Sequence, residues 1–255
     1  MTRTLRVLAV AGLLAAGAHV AGAREPGDPI VLAWVEGDVA GFAPIMAPTG
    51  GEPIGFVEFH QHREGDVLDM TRVARFTDGS SDEDRAVARV GRTLDALEGR
   101  SIIRDARGRA TVDLHIDVRG GRVTGFYDDG TRHDVDQAED LPPGTYWGPL
   151  IFLVLKNFEA NAEDDRVRFR TVVPTPRPRV LTLELVRDGT SATRRPGGDL
   201  ALERFTLRPT IAWLVDPILH ALLPATSFFV QPGTPPAFAR FDGPRNFGGQ
   251  EIRLE

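Results

Sequence analysis

Residues 110–121, Ala110-Thr111-Val112-Asp113-Leu114-His115-Ile116-Asp117-Val118-Arg119-Gly120-Gly121, decide the fold. Ala110, Val112, Leu114, Ile116 and Val118 fall on one side of an extended chain. Thr111, Asp113, His115, Asp117 and Arg119 fall on the other. A strand with that alternation buries one face and wets the other. Gly120-Gly121 then lets the chain double back into Arg122–Tyr127, and Asp128-Asp129-Gly130 turns it again into Thr131–Val135. Alternation and turn chemistry together predict a three-stranded antiparallel meander.

The same pattern spreads outward. Short strands are expected at Ile54–Arg63, Val67–Thr77, Val167–Val173, Val180–Arg187 and Leu200–Leu207. Three more are expected near Ser227–Gln231, Ala237–Asp242 and Gln250–Leu254. Glu64-Gly65-Asp66, Asp188-Gly189 and Gly197-Gly198 read as turns between them. Residues 82–99 fit a helix, with Ala86, Val90, Leu94 and Leu97 at helical spacing, and also fit two strands broken at Gly91, the reading adopted here. Two segments leave the pattern. Leu150–Leu155 is apolar all round with Pro149 suited to open a helix, and Ile211–Leu223 is mostly apolar with Pro217 set to kink it. The expected fold is mainly β: an antiparallel, strongly curved sheet, half-barrel or barrel, with two short apolar helices packed on its concave face.

Composition bounds the function. Hydrophobic residues make up 42% and charged residues 26%, as in ordinary globular proteins, and the net charge is −6. A mildly acidic chain argues against nucleic acid as a partner. The absence of cysteine removes disulfides, thiolate metal sites and cysteine nucleophiles. Lys156 is the only lysine. Residues 1–23 read as a secretory signal: Arg3 and Arg6, an apolar run from Leu8 to Ala18, then Ala21-Gly22-Ala23. That run is too short to span a bilayer. The expectation is a periplasmic or extracellular protein without an integral membrane anchor, with a partly flexible segment at 24–43 and one β-rich domain at 44–255.

Four constellations carry the chemistry worth weighing. Glu58, His60 and His62 alternate on one strand, so a carboxylate and two imidazoles share a face, as a metal site on a sheet requires. His115 or His133 are candidates to complete such a shell. The competing reading puts Val57 and Phe59 in the core and the histidines in water. Asp216 and His220 stand one helical turn apart, but none of the five serines lies in a nucleophile-elbow motif. Lys156 with Asn157 ends the first apolar segment; a buried lone lysine suits a nucleophile or a charge anchor, and the competing reading has its cation reach out to the helix C-terminus, where the dipole favours it. The acidic run Asp78–Asp84 lacks the glycine and glutamate positions of a calcium loop, so a solvated turn is expected.

Several phrases occur together: Phe76-Thr77-Asp78-Gly79-Ser80-Ser81, Leu153-Val154-Leu155-Lys156-Asn157, Pro174-Thr175-Pro176-Arg177-Pro178-Arg179, and near the end Pro235-Pro236-Ala237-Phe238, Asp242-Gly243-Pro244 and Gly248-Gly249-Gln250-Glu251-Ile252-Arg253. From about residue 44 onward the chain resembles exported bacterial proteins of unknown function. The group is distantly similar to the periplasmic half-barrels that carry lipoproteins. The resemblance implies a curved sheet and transfers no site residue.

These readings converge on a non-enzymatic exported β-protein without a cofactor, binding an apolar small molecule or lipid. The expected lining is Leu150, Phe152, Leu153, Lys156, Trp213, Leu214 and Leu219. The alternatives are a metal-dependent hydrolase or lyase built on Glu58, His60 and His62, and a structural or partner-binding protein of the cell envelope. Expression in a bacterium with an intact export pathway should yield a protein whose first residue is Arg24. An intact mass that retains residues 1–23 would contradict the signal assignment.

Overall fold

The computed structural model describes residues 25–173, 178–195, 198–210, 226–246 and 249–254. Among these, a single antiparallel sheet takes all fifteen strands. The strands are β1 (Ile30–Val31), β2 (Val39–Met46), β3 (Gly55–Glu64), β4 (Val67–Phe76), β5 (Ser81–Val90), β6 (Thr93–Arg104), β7 (Ala110–Asp117), β8 (Arg122–Asp128) and β9 (Arg132–Ala138). After helix α1 (Leu150–Lys156) come β10 (Arg166–Val173), β11 (Arg179–Arg195), β12 (Gly198–Pro209), β13 (Thr226–Gln231), β14 (Ala237–Pro244) and β15 (Glu251–Leu254). In space the order is β10-β11-β12-β13-β14-β15-β2-β3-β4-β5-β6-β7-β8-β9, with β1 paired to β6.

The β7–β8–β9 meander stands as the alternation predicts, with Leu114 and Ile116 buried and His115 exposed. Residues 81–104 form two strands, β5 and β6, with the break at 91–92. Inward positions carry the core: Leu68 and Met70 on β4, Ala86 and Ala88 on β5, Val167 and Phe169 on β10, Leu185 on β11, Phe205 on β12. Helix α1 lies against this concave face, and its Leu150, Leu153, Val154 and Leu155 are buried in the same cluster. Gly99 makes one close approach possible: a Cβ there would sit 2.0 Å from the Trp147 indole, which rests on the sheet just before α1. The other predicted helix, Ile211–Leu223, lies outside the described residues.

The sheet does not close on itself, because β9 and β10 are its two ends. Side chains and one connecting segment seal the seam. Ala96 of β6 donates to the Pro143 carbonyl at 3.2 Å, and three residues on Tyr146 donates to the Arg170 carbonyl of β10 at 2.8 Å. The fully buried Tyr146 hydroxyl donates to the Leu94 carbonyl at 2.7 Å and accepts from the Ile30 N–H at 2.8 Å. Just past α1, the Asn157 carboxamide oxygen accepts from both the Ala33 and Trp34 N–H groups at 2.8 Å, and its nitrogen donates to the Trp34 carbonyl at 3.0 Å. Asn161 accepts from the Val31 N–H at 2.7 Å and donates to its carbonyl at 2.8 Å, as a neighbouring strand would.

Three expectations need correction. The boundary at 43/44 falls inside β2, so residues 30–46 belong to the fold; Asn157, Asn161 and Tyr146 supply partners that no local pattern announces. Asp188-Gly189 is a bulge within β11 and not a turn. There the Asp188 carboxylate accepts from Arg204 and Thr206 of β12, at 2.9 and 2.7 Å, and holds the strands together through the irregularity. The run at 78–84 is not a solvated turn: Ser80 and Asp82 are buried, and Arg245 binds Asp82 at 2.7 and 2.9 Å while stacking 3.6 Å from the Phe76 ring centre.

Removing the seam donors should be costly, because each substitution strands buried backbone groups. Asn157→Ala should lower stability by about 2–4 kcal/mol and Tyr146→Phe by about 1–3 kcal/mol. Urea unfolding with an unchanged m-value is the check; losses under half of these would mean that water replaces the bonds.

Candidate functional site

The apolar end of α1 opens onto a chamber of about 330 Å³ between the helix and strands β2, β3, β4, β14 and β15. Phe152 is its centrepiece. Its ring meets Phe59 of β3, Phe228 of β13 and Phe238 of β14 edge-on, at 5.8, 6.1 and 5.1 Å between centres. Val57, Met70 and Leu153 complete the greasy wall, while Gly41 and Ala43 keep the β2 side shallow. Period-two geometry explains the lining. Val57, Phe59 and Gln61 alternate inward on β3, opposite Ala74, Arg72 and Met70 of β4.

Polar groups hold the rim and floor. The Lys156 ammonium, about one-fifth exposed, is paired with the Glu36 carboxylate at the mouth. Buried Gln61 donates to the Glu36 and Gly37 carbonyls at 2.9 Å and so pins the loop that carries this carboxylate. Arg72 lines the chamber from β4 and donates to Asp84 at 2.5 and 3.1 Å, and Ser101 donates to the other oxygen of Asp84 at 2.8 Å. Burial opposes the Arg72 charge, but Asp84 outweighs it and leaves the guanidinium harder to deprotonate than usual. Lys156 also borders a second cavity of about 340 Å³ toward Trp34, Phe205 and Val230. The arrangement offers apolar contact, the Lys156–Glu36 ion pair and the Arg72 guanidinium held by Asp84.

Of the residues expected to line a ligand site, Phe152, Leu153 and Lys156 come together in this chamber. Leu150 is fully buried in the core. Trp213, Leu214 and Leu219 lie outside the described residues, as do Asp216 and His220. The sequence reading missed the β2 wall, Gly41 and Ala43, and the Glu36 partner, because small residues and a lone acid carry no periodic signal.

Glu58, His60 and His62 do share a face, but it is the outer one. Glu58 is held by Arg75 at 2.6 Å, and His62 Nδ1 lies 2.9 Å from Asp38. The Asp38 carboxyl is kept below its usual range first by the Arg63 N–H and then by His62. β4, β5 and β6 separate β3 from β7, roughly 19 Å in sheet spacings, so His115 of β7 and His133 of β9 cannot complete the shell. Among the described residues no three His, Cys, Asp or Glu side chains are placed to hold a metal ion.

No protein-family model matches the chain, and no curated protein does. Among solved structures, it is similar to a crystal structure of a β-barrel-like protein of a domain of unknown function, DUF1849, from Brucella abortus. The identity is 9% and the TM-score 0.46, over 88% of this chain and 95% of that one. No helix among the described residues is long and apolar enough to cross a membrane.

If the outer histidines are only surface groups, His60→Ala/His62→Ala should change stability by less than about 0.5 kcal/mol. Excess zinc should then leave the thermal midpoints of parent and variant equally unmoved. A zinc-dependent rise in the parent alone would restore the metal site.

Proposed function

We propose that this chain is an exported, non-enzymatic β-protein that binds an apolar or lipid-like ligand in the chamber beside α1. One observation carries the reading: about 330 Å³ of space bounded by Phe59, Phe152, Phe238, Val57 and Met70, with the Lys156–Glu36 ion pair at its entrance and Arg72, answered by Asp84, in its wall. That volume is at the lower end of ligand pockets, which run from roughly 300 to 1,000 Å³ and are mostly apolar with a few polar groups to orient the guest. Well-packed interiors leave few such spaces, so an apolar chamber open at one side is a poor way merely to build a core. Lys156 and Glu36 give the entrance one charge of each sign, suited to meeting a polar end while the apolar part is buried. The proposal sets the chain beside periplasmic half-barrel carriers on shared logic, a curved sheet with an apolar hollow. Export rests on residues 1–23.

Native mass spectrometry of the purified protein, with titration of a fluorescent fatty acid, is the test. The parent should take up the probe. Ala43→Leu, which fills the shallow wall, should weaken uptake at least about tenfold with a stability change under about 1 kcal/mol. A parent that takes up nothing, or a variant that binds equally well, would make the chamber plain interior.

A further inference from the structure

Two arginines answer the inward-facing carboxylates of β5, and they are not equally satisfied. Arg245 commits all three guanidinium nitrogens. Its Nε and Nη2 donate to the two oxygens of Asp82 at 2.9 and 2.7 Å, and its Nη1 donates to Ser80 Oγ at 2.8 Å. Arg72 commits only two, Nε at 3.1 Å and Nη2 at 2.5 Å, both to Oδ2 of Asp84. Among the described residues no acceptor meets its Nη1. A guanidinium only donates, so the Nη1 hydrogens wait for an oxygen from elsewhere. They are not sealed in: the Arg72 side chain is about one-fifth exposed, and it borders both the chamber and a cavity of about 240 Å³ toward Trp147 and Thr171.

Register explains why this donor stands where it does. Phe59 of β3, Arg72 of β4, Asp84 of β5 and Ser101 of β6 lie directly opposite one another across four strands. Opposite residues share a face, so Arg72 sits beside Phe59, whose ring meets Phe152 at the centre of the chamber. Gln61, which pins the Glu36 loop at the mouth, is two residues along β3, roughly 7 Å away. The spare donor therefore belongs to the apolar part of the site and not to its entrance.

Charge balance selects the acceptor. Arg72 with Asp84 and Arg245 with Asp82 make a cluster that is already neutral. A ligand carboxylate brought to Arg72 would lose its hydration and add an unanswered charge beside Asp84. A carbonyl oxygen takes the same hydrogens and adds none.

We infer that Arg72 Nη1 donates to the carbonyl oxygen of an uncharged guest, so the ligand of the chamber is a neutral lipid ester or ketone. This rests on the chamber being a ligand site and names the chemistry of its guest. A fatty acid that enters tail-first leaves its carboxylate in water at the mouth, beside Lys156.

The experiment uses the full chain and three probes of one tail length. Methyl decanoate and decanoate each carry carbon-13 at the carbonyl carbon, and decane is the competitor. Bound methyl decanoate should show its carbonyl resonance downfield of its position in hexane, the mark of an accepted hydrogen bond. Bound decanoate should titrate as it does in water. Arg72→Met/Asp84→Leu removes the donor and its counter-charge together. It should return the ester resonance to the hexane position and lower the preference for methyl decanoate over decane at least about tenfold. If that variant loses the far-UV circular dichroism of the parent, the resonance in the parent decides alone. An ester resonance at the hexane position in the parent, or one still downfield in a folded variant, would overturn the inference and leave the chamber as a ligand site. Decanoate that stays ionised below its ordinary range in the parent would assign the guanidinium to an anion and overturn the neutral guest. Uptake of none of the three would end both readings.

Discussion

A long curved sheet that does not meet itself has to be closed by something other than strand pairing, and most of this structure follows from that constraint. The gap between β9 and β10 is bridged by a single segment whose backbone bonds β6 on one side and β10 on the other. Tyr146, Asn157 and Asn161 then act as surrogate strand, offering donors and acceptors at the spacing the backbone of residues 30–34 needs. Buried backbone groups tolerate no loss of partners. A buried tyrosine and two buried asparagines are therefore the natural occupants of a seam lined by apolar residues.

Two charges on the inner face of the same sheet are each answered by several hydrogen bonds. Arg245 with Asp82, and Arg72 with Asp84 and Ser101, are pairs with several hydrogen bonds each, set where β4 and β5 meet the loop after β14. Unpaired, any of these groups would cost far more than its neighbours return. Arg72 thereby reaches the wall of the chamber with its charge already answered by Asp84.

Strand content was largely legible because most strands here are half-buried, and half-burial writes alternation into the residues: Val57, Phe59 and Gln61 inward, Glu58, His60 and His62 outward. The same rule explains why the histidines looked like a site. A shared face is visible in sequence, but whether it faces the hollow or the solvent is set by register against β2 and β4. β2 itself was illegible, since Ala40, Gly41, Ala43 and Pro44 are poor strand formers held by their neighbours. Asp188-Gly189 carried turn chemistry and became a bulge because Arg204 and Thr206 captured the aspartate.

By itself the sequence determined the class: a mostly antiparallel β-protein with a buried apolar helix at Leu150, no cysteine chemistry, and Phe152, Leu153 and Lys156 as plausible lining. These are local properties, carried by period, turns and composition. The tertiary structure alone decided that the sheet stays open, that Tyr146, Asn157 and Asn161 bridge its seam, and that Glu36 meets Lys156. Each depends on residues distant in the chain meeting in space. Such meetings are fixed by strand order and register, which no window of sequence encodes.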